Sequence, residues 1–277
     1  MTKSPVPTIT LSNGVEMPRL GYGTWPMKGA EATDAVARAL GSGYRLIDTA
    51  ENYENEEAVG EGIRASGIDR ADVFLTTKMN KKWHSVDGAR QACEASLNRL
   101  GLDYIDLFLI HWPNPDQGTY VQAFEGMTKL LDAGLVRSIG VSNFLPHHLN
   151  DLFEAGLTPH VNQIQLDPYH RRADLTAIHA DKGIETECWS PIGRAGDMLD
   201  DPAITRIAEA HGKTPAQIVL RWEVQAGFVP APKSANPERM AQNLDVFDFA
   251  LTDAEMAVLG DMDRPDPKML DANTFGH

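Results

Sequence analysis

Ile105-Asp-Leu-Phe-Leu-Ile-His-Trp112 is a nearly unbroken apolar run, and its reading decides the fold. A strand with one wet face alternates polar and apolar side chains. A strand covered on both faces does not, and such strands belong to parallel sheets wrapped by helices. The sequence that follows agrees. Over residues 120–133, Val121, Phe124, Met127, Leu130 and Leu131 fall on one helical face, and Gly134 ends the helix. Residues 136–143 then read as a second strand. The segment is one β-α-β unit.

The same alternation extends in both directions. Toward the N-terminus, strands are expected over 73–79, 45–50 and 19–25, separated by helices over 85–100, 54–66 and 30–42 that end at Gly101, Gly67 and Gly43. Toward the C-terminus, strands are expected over 161–167, 185–191 and 228–234, with helices over 146–155, 173–182, 202–211 and 215–225. Thr214 and Pro215 supply an N-cap and first turn for the last of these. Two closing helices occupy 237–244 and 253–259, and Asn13-Gly14 between short apolar runs marks an N-terminal hairpin. Eight strands alternating with helices, with no linker or break in composition, predict an α/β fold. We read residues 1–277 as one (β/α)8 TIM barrel domain, with an N-terminal β-hairpin and extra C-terminal helices, rather than a doubly wound open sheet. Gly60-Glu-Gly-Ile-Arg-Ala65 matches a dinucleotide fingerprint. That motif needs a strand directly before it, and here an acidic helix start precedes it, so the match is chance.

Composition narrows the function. A net charge of −14 argues against nucleic-acid and anionic-membrane partners, because binding there rests on Lys and Arg neutralising phosphates. An anionic ligand would need a local basic patch. No run approaches the roughly 20 apolar residues that span a bilayer. The first ten residues lack the apolar core of a signal peptide, which points to the cytosol. Cys93 and Cys188, far apart, make neither a disulfide framework nor a metal site, and no metal is expected.

Barrel chemistry gathers at the C-terminal ends of the strands. Those ends carry Asp48-Thr49, Thr77-Lys78, His111-Trp112, Ser142-Asn143, Asn162-Gln163, Trp189-Ser190 and Lys233-Ser234. Strand capping accounts for Thr49, Ser142 or Ser190. It does not account for Asp48 and Lys78, since a charge at the lip of a core is costly unless paired. Each can pair with the other across adjacent strands.

In order and placement, these segments resemble the aldo-keto reductase family over nearly the whole chain. The resemblance is carried by Leu20-Gly-Tyr-Gly-Thr-Trp25, Gly43-Tyr-Arg-Leu-Ile-Asp-Thr-Ala50 with Tyr53, Thr77-Lys78, the 106–113 run, Gly140-Val-Ser-Asn-Phe144, Asn162-Gln163, and Pro232-Lys-Ser234 with Arg239. The runs at 210–217 and 244–249 are similar to bacterial members of the diketogluconate-reductase type. The resemblance implies an NADPH-dependent reductase of aldehydes or ketones, dicarbonyls and keto-sugars among them, acting as a monomer without metal. It implies Tyr53 as general acid, Lys78 lowering its pKa, Asp48 fixing Lys78, and His111 orienting the carbonyl. It implies cofactor contacts from Thr24, Asp48, Ser142, Asn143 and Gln163, a stacking Trp189, and a phosphate loop of Ser190, Pro191 and Gly193. Lys233, Ser234 and Arg239 match the 2′-phosphate site and form the basic patch that the acidic composition demands. Asn243 matches the adenine contact, beside Gln242 where the family usually has Glu. Trp25, Tyr53, His111 and Trp112 would line the substrate pocket, and the 269–277 tail, with Leu270 and Phe275, would close it. Asn80 stands where many relatives have Trp, with Trp83 the nearest replacement. A cofactor-binding regulatory protein on the same fold is the alternative. A metal-dependent hydrolase is disfavoured, because the first strand offers Gly21-Tyr-Gly-Thr24 in place of a His-x-His pair.

Overall fold

Strands β1 (Thr8–Thr10) and β2 (Glu16–Pro18) pair antiparallel, with Ile9 opposite Met17. The computed structural model describes residues 6–193, 196–266 and 269–276. Among them, eight parallel strands follow the hairpin: β3 (Gly21–Gly23), β4 (Leu46–Asp48), β5 (Phe74–Met79), β6 (Ile105–Ile110), β7 (Val136–Ser142), β8 (Val161–Gln165), β9 (Glu185–Trp189) and β10 (Val229–Pro230). They are hydrogen-bonded in chain order, and Gly23 N–H donates to Pro232 O at 3.1 Å between the first and last, so the sheet curls into the expected barrel. Helices α1 (Gly29–Ser42), α2 (Glu56–Ala65), α3 (Val86–Leu100), α4 (Tyr120–Asp132), α5 (Pro146–Glu154) and α6 (Ala173–Lys182) connect successive strands. Helices α7 (Pro202–His211) and α8 (Pro215–Gln225) lie between β9 and β10, and α9 (Pro237–Leu244) and α10 (Asp253–Gly260) close the chain. Among the described residues no helix is long and apolar enough to cross a membrane. Cys93 and Cys188 are buried and unbridged.

The period-two alternation of the strands sorts the core into two compartments. Ile47, Leu75, Phe108, Ile110, Val141, Ile164 and Cys188 face outward and pack against the helices. Leu46, Phe74, Leu107, Leu109, Val161 and Val229 face inward. Ile9, Leu11 and Met17 of the hairpin join this inner cluster, so β1 and β2 plug the end at which the strands begin. The other end stays open. The same parity turns Asp48, Lys78 and Gln163 inward at that open end.

Several strands are shorter than the sequence suggests. The last one is two residues long instead of spanning 228–234, because Pro230 and Pro232 have no N–H to continue a ladder. The helix expected from residue 54 starts at Glu56. A 3-10 turn, Glu51–Tyr53, precedes it, and Glu54 takes a left-handed φ of 52°. Gly60, within α2, packs against the backbone of α3. A Cβ there would lie 1.9 Å from Leu100 O, which explains this glycine without a nucleotide.

Gly140 sits where two strands press close: a Cβ would lie 2.4 Å from Val161 O and 2.8 Å from Leu109 Cδ2. Gly140→Ala is expected to destabilise the barrel by about 3 kcal/mol. Gly41→Ala, on the exposed surface of α1 with nothing within 4 Å, is expected to stabilise by about 0.5–1 kcal/mol. Urea denaturation of the two variants checks this, and a neutral Gly140→Ala would show that β7 and β8 can part without cost.

Candidate active site

Lys78 sits at the centre of the open end. Its side chain is 1% exposed, and Nζ donates to both Asp48 oxygens at 2.7 Å and to Thr49 O at 2.9 Å. Neighbouring β4 and β5 supply the pair, as their adjacency in sequence requires. Gln163, entering from β8, donates to Asp48 Oδ2 at 2.7 Å. The carboxylate thus takes three hydrogen bonds from two groups, and the cluster joins β4, β5 and β8. Burial works against the Lys78 charge, but Asp48, with Tyr53, raises its pKa overall, so Lys78 stays an ammonium.

Tyr53 ends the 3-10 turn after β4 and is half-buried. Its hydroxyl lies 3.4 Å from Lys78 Nζ, and the ammonium also stands 5.0 Å from the ring centroid. Burial pushes the phenol above its ordinary value. The Lys78 charge and hydrogen bond pull it down without overcoming burial. The lowering expected from the sequence is present, but as the weaker of two opposed effects. The His111 ring meets Tyr53 edge to face, with centroids 5.7 Å apart.

A second network lines the same opening. Asn143, at φ 64°, donates from Nδ2 to His111 O (3.1 Å) and Ser142 Oγ (3.0 Å), while its Oδ1 accepts from Trp189 Nε1 at 2.8 Å. Ser142 Oγ donates to Gln163 O at 2.9 Å. Thr24, fully buried, donates to Asp48 O at 2.9 Å. These bonds fix the rim of a cavity of about 1140 Å³. Thr24, Trp25, Asp48, Tyr53, His111, Trp112, Ser142, Asn143, Gln163, Trp189, Ser190 and Pro191 line it, as do Lys233, Ser234, Arg239 and Asn243. Lys78 lies beneath the lining. Gly193, at φ +73°, is held against Met198 and is outside the described lining. Lys233 and Arg239 are exposed and form no ion pair among the described residues.

The cavity also includes Leu270 and Phe275 of the tail, the latter packed edge to face on Trp112 at 4.7 Å. His277 lies outside the described residues. Neither Asn80 nor Trp83 lines the cavity, contrary to the expectation that they shape the pocket. Trp83 Nε1 instead donates to Glu51 Oε2 at 3.0 Å, which turns the indole away.

Glu187 was not singled out from the sequence. It is fully buried inside the barrel, in phase with Trp189 on β9, and neither carboxylate oxygen has a hydrogen-bond partner among the described residues. Burial first, then the Asp48 charge, pushes its carboxyl up to about 8, against the pull of Lys78. Its signal was the inward parity of Glu185-Thr-Glu-Cys-Trp189.

The sequence profile of the Aldo/keto reductase family matches residues 19–264, and the chain belongs to that family. It is 49% identical to morphine 6-dehydrogenase of Pseudomonas putida over 97% of each chain. It is 46% identical to 2,5-diketo-D-gluconic acid reductase B of Corynebacterium sp. (strain SHS752001) over 94% of each. The crystal structure of a Gox0644 mutant in complex with NADPH superposes with a TM-score of 0.94 at 41% identity, covering 99% of this chain and 100% of that one.

Because burial makes Glu187 hold its proton more tightly in the fold than in the unfolded chain, the folded state binds the extra proton between the ordinary 4.5 and about 8. Its contribution to stability is complete below the ordinary 4.5 and is lost progressively as pH climbs through about 8. Glu187→Gln removes that dependence. Its urea midpoint is expected to rise relative to wild type from about pH 5 to about pH 8. A constant gap would show that Glu187 does not titrate in this window.

Proposed function

We propose that this protein is an NADPH-dependent carbonyl reductase, converting aldehydes or ketones to alcohols with Tyr53 as proton donor. The observation that carries the reading is the contact chain from Asp48 through Lys78 to Tyr53, placed beneath a cavity that His111 also lines. Bound NADPH supplies the hydride.

The chain's residues suit the cofactor. Trp189 offers a ring whose orientation is fixed by Asn143, suited to stacking on a nicotinamide. Ser142, Asn143 and Gln163 bring amide and hydroxyl groups to one side of the cavity for a carboxamide. Lys233, Arg239 and Ser234 bring two exposed cations and a hydroxyl to its lining, in a chain whose net charge is −14, which favours a 2′-phosphate. The NADPH complex of the Gox0644 mutant supports the choice of cofactor.

The chemistry assigned to the chain is proton transfer. As the carbonyl carbon gains a hydride, its oxygen becomes an alkoxide and takes the proton of the Tyr53 hydroxyl. The resulting phenolate lies against the Lys78 ammonium, whose charge Asp48 balances. A raised pKa in the resting site keeps the hydroxyl protonated before reaction. His111 orients the carbonyl. Trp25, 56% exposed, and Trp112 line the opening, and the relatives' names support diketo sugar acids, with morphine in the reverse direction, as substrates to try first.

Tyr53→Phe is expected to lower kcat for carbonyl reduction by about 10²–10⁴ while NADPH affinity is retained. Wild-type turnover in a panel of aldehydes, diketones and keto-sugars would remove the assignment of the acid. Arg239→Ala is expected to weaken NADPH binding by about tenfold to a hundredfold and to leave NADH binding nearly unchanged. Equal loss for both cofactors, read by fluorescence titration, would place the arginine elsewhere than at the 2′-phosphate.

A further inference from the structure

Three hydrogen bonds run in series behind His111. Lys82 N–H donates to Asn80 Oδ1 at 2.8 Å. Asn80 Nδ2 donates to Asn52 Oδ1 at 2.7 Å. Asn52 Nδ2 then faces His111 Nδ1 at 3.5 Å. The direction of the series is fixed by its first member. A backbone N–H can only donate, so the Asn80 oxygen must face Lys82 and its NH2 must face Asn52. The Asn52 oxygen is thereby committed to Asn80, and its NH2 is the group left to meet the imidazole. The last contact is long, yet its sign is clear: a proton on Nδ1 would point at the amide protons.

The series stands on a rigid base. Asn80 caps the 3-10 turn Lys81–Trp83, and its own N–H donates to Glu51 Oε2 at 3.2 Å. Glu51 also takes Trp83 Nε1 and pairs with Lys82 Nζ at 2.6 Å. Glu51, Asn52 and Tyr53 are consecutive residues of one turn. The end of β5 therefore grips that turn twice, through Lys78 beside Tyr53 and through Asn80 beside Asn52.

We propose that Asn80 and Asn52 are positioning residues that hold the His111 imidazole as the neutral tautomer in which Nδ1 accepts from Asn52 and Nε2 carries the proton. The ring then presents an N–H donor, instead of a lone pair, from the edge opposite Asn52. An acceptor such as a carbonyl oxygen is oriented by a donor, whereas a lone pair would repel it. The consequence for turnover rests on the carbonyl-reductase reading; the tautomer does not.

Asn80→Asp tests the relay at a distance. A carboxylate still caps Lys82 N–H but cannot donate to Asn52. The Asn52 amide is then expected to turn its NH2 toward Asp and its oxygen toward His111, moving the proton to Nδ1. Asn52→Asp places an acceptor against the ring directly and is expected to give the same result. The readout is two-bond ¹H–¹⁵N correlation of ¹⁵N-histidine-labelled protein near pH 8, with the His111 signals assigned by their loss in His111→Gln. Nε2–H in the wild type and Nδ1–H in both variants is the expected outcome. Nδ1–H in the wild type, or the same tautomer in all three proteins, overturns the relay. In the same samples, kcat/KM for carbonyl reduction is expected to fall by about 10²-fold in Asn80→Asp, with NADPH affinity unchanged. A wild-type protein that shows the Nε2–H tautomer but reduces no carbonyl would overturn the proposed function and leave the relay standing.

Discussion

An ammonium group buried inside an apolar barrel is the constraint on which the site depends. Lys78 is almost completely withdrawn from water, and an unpaired charge there would cost several kcal/mol. It is tolerated because Asp48 meets it with both oxygens and the Thr49 carbonyl with a third acceptor. Asp48 in turn accepts a further hydrogen bond from the neutral Gln163 amide, which reaches it from across the barrel. Three strands are thus locked in register by one charge pair. The amides and hydroxyls around the rim, including Thr24, Ser142 and Asn143, occupy the positions this lock leaves to them.

The same pair explains why Tyr53 and Glu187 behave as they do. Both are acids close to a cation, and both are nevertheless pushed up, because burial and the Asp48 charge outweigh the lysine. Asp48 largely compensates Lys78, so the ion pair acts on its neighbours more as a dipole than as a free positive charge. A phenol that keeps its proton at rest, with an ammonium within reach once that proton leaves, suits an acid that works once per turnover.

Much of this was readable from residue order. The 105–143 segment carries the β-α-β grammar, and repeating it eight times leaves little but a barrel. Period two then assigns Asp48 and Lys78 to one face of adjacent strands, and their charges make the pair an expectation. What escaped depends on side-chain direction off the regular elements. Trp83 and Asn80 follow a strand, but a 3-10 turn sends the indole to Glu51 and the amide to Asn52, so neither enters the cavity. Glu187 was passed over, since a carboxylate within a strand looks like a solvent-facing residue until the barrel closes over it. β10 is shorter than its apolar run suggests, because its prolines deny the ladder its donors. The balance of opposed effects on Tyr53 is a matter of ångströms and has no sequence signature.

The seam between β10 and β3 has a consequence of its own. The last strand is two residues long, and beyond it the join rests on Gly23 N–H to Pro232 O and on the Tyr22 hydroxyl reaching the Ser234 carbonyl. Gly23 is required there, since a Cβ would lie 2.9 Å from Ala231 O. Both banks of this seam line the cavity: Gly23 and Thr24 on one side, Ala231, Lys233 and Ser234 on the other. The cavity mouth therefore lies over the join itself, and the barrel is a ring whose clasp forms part of the rim.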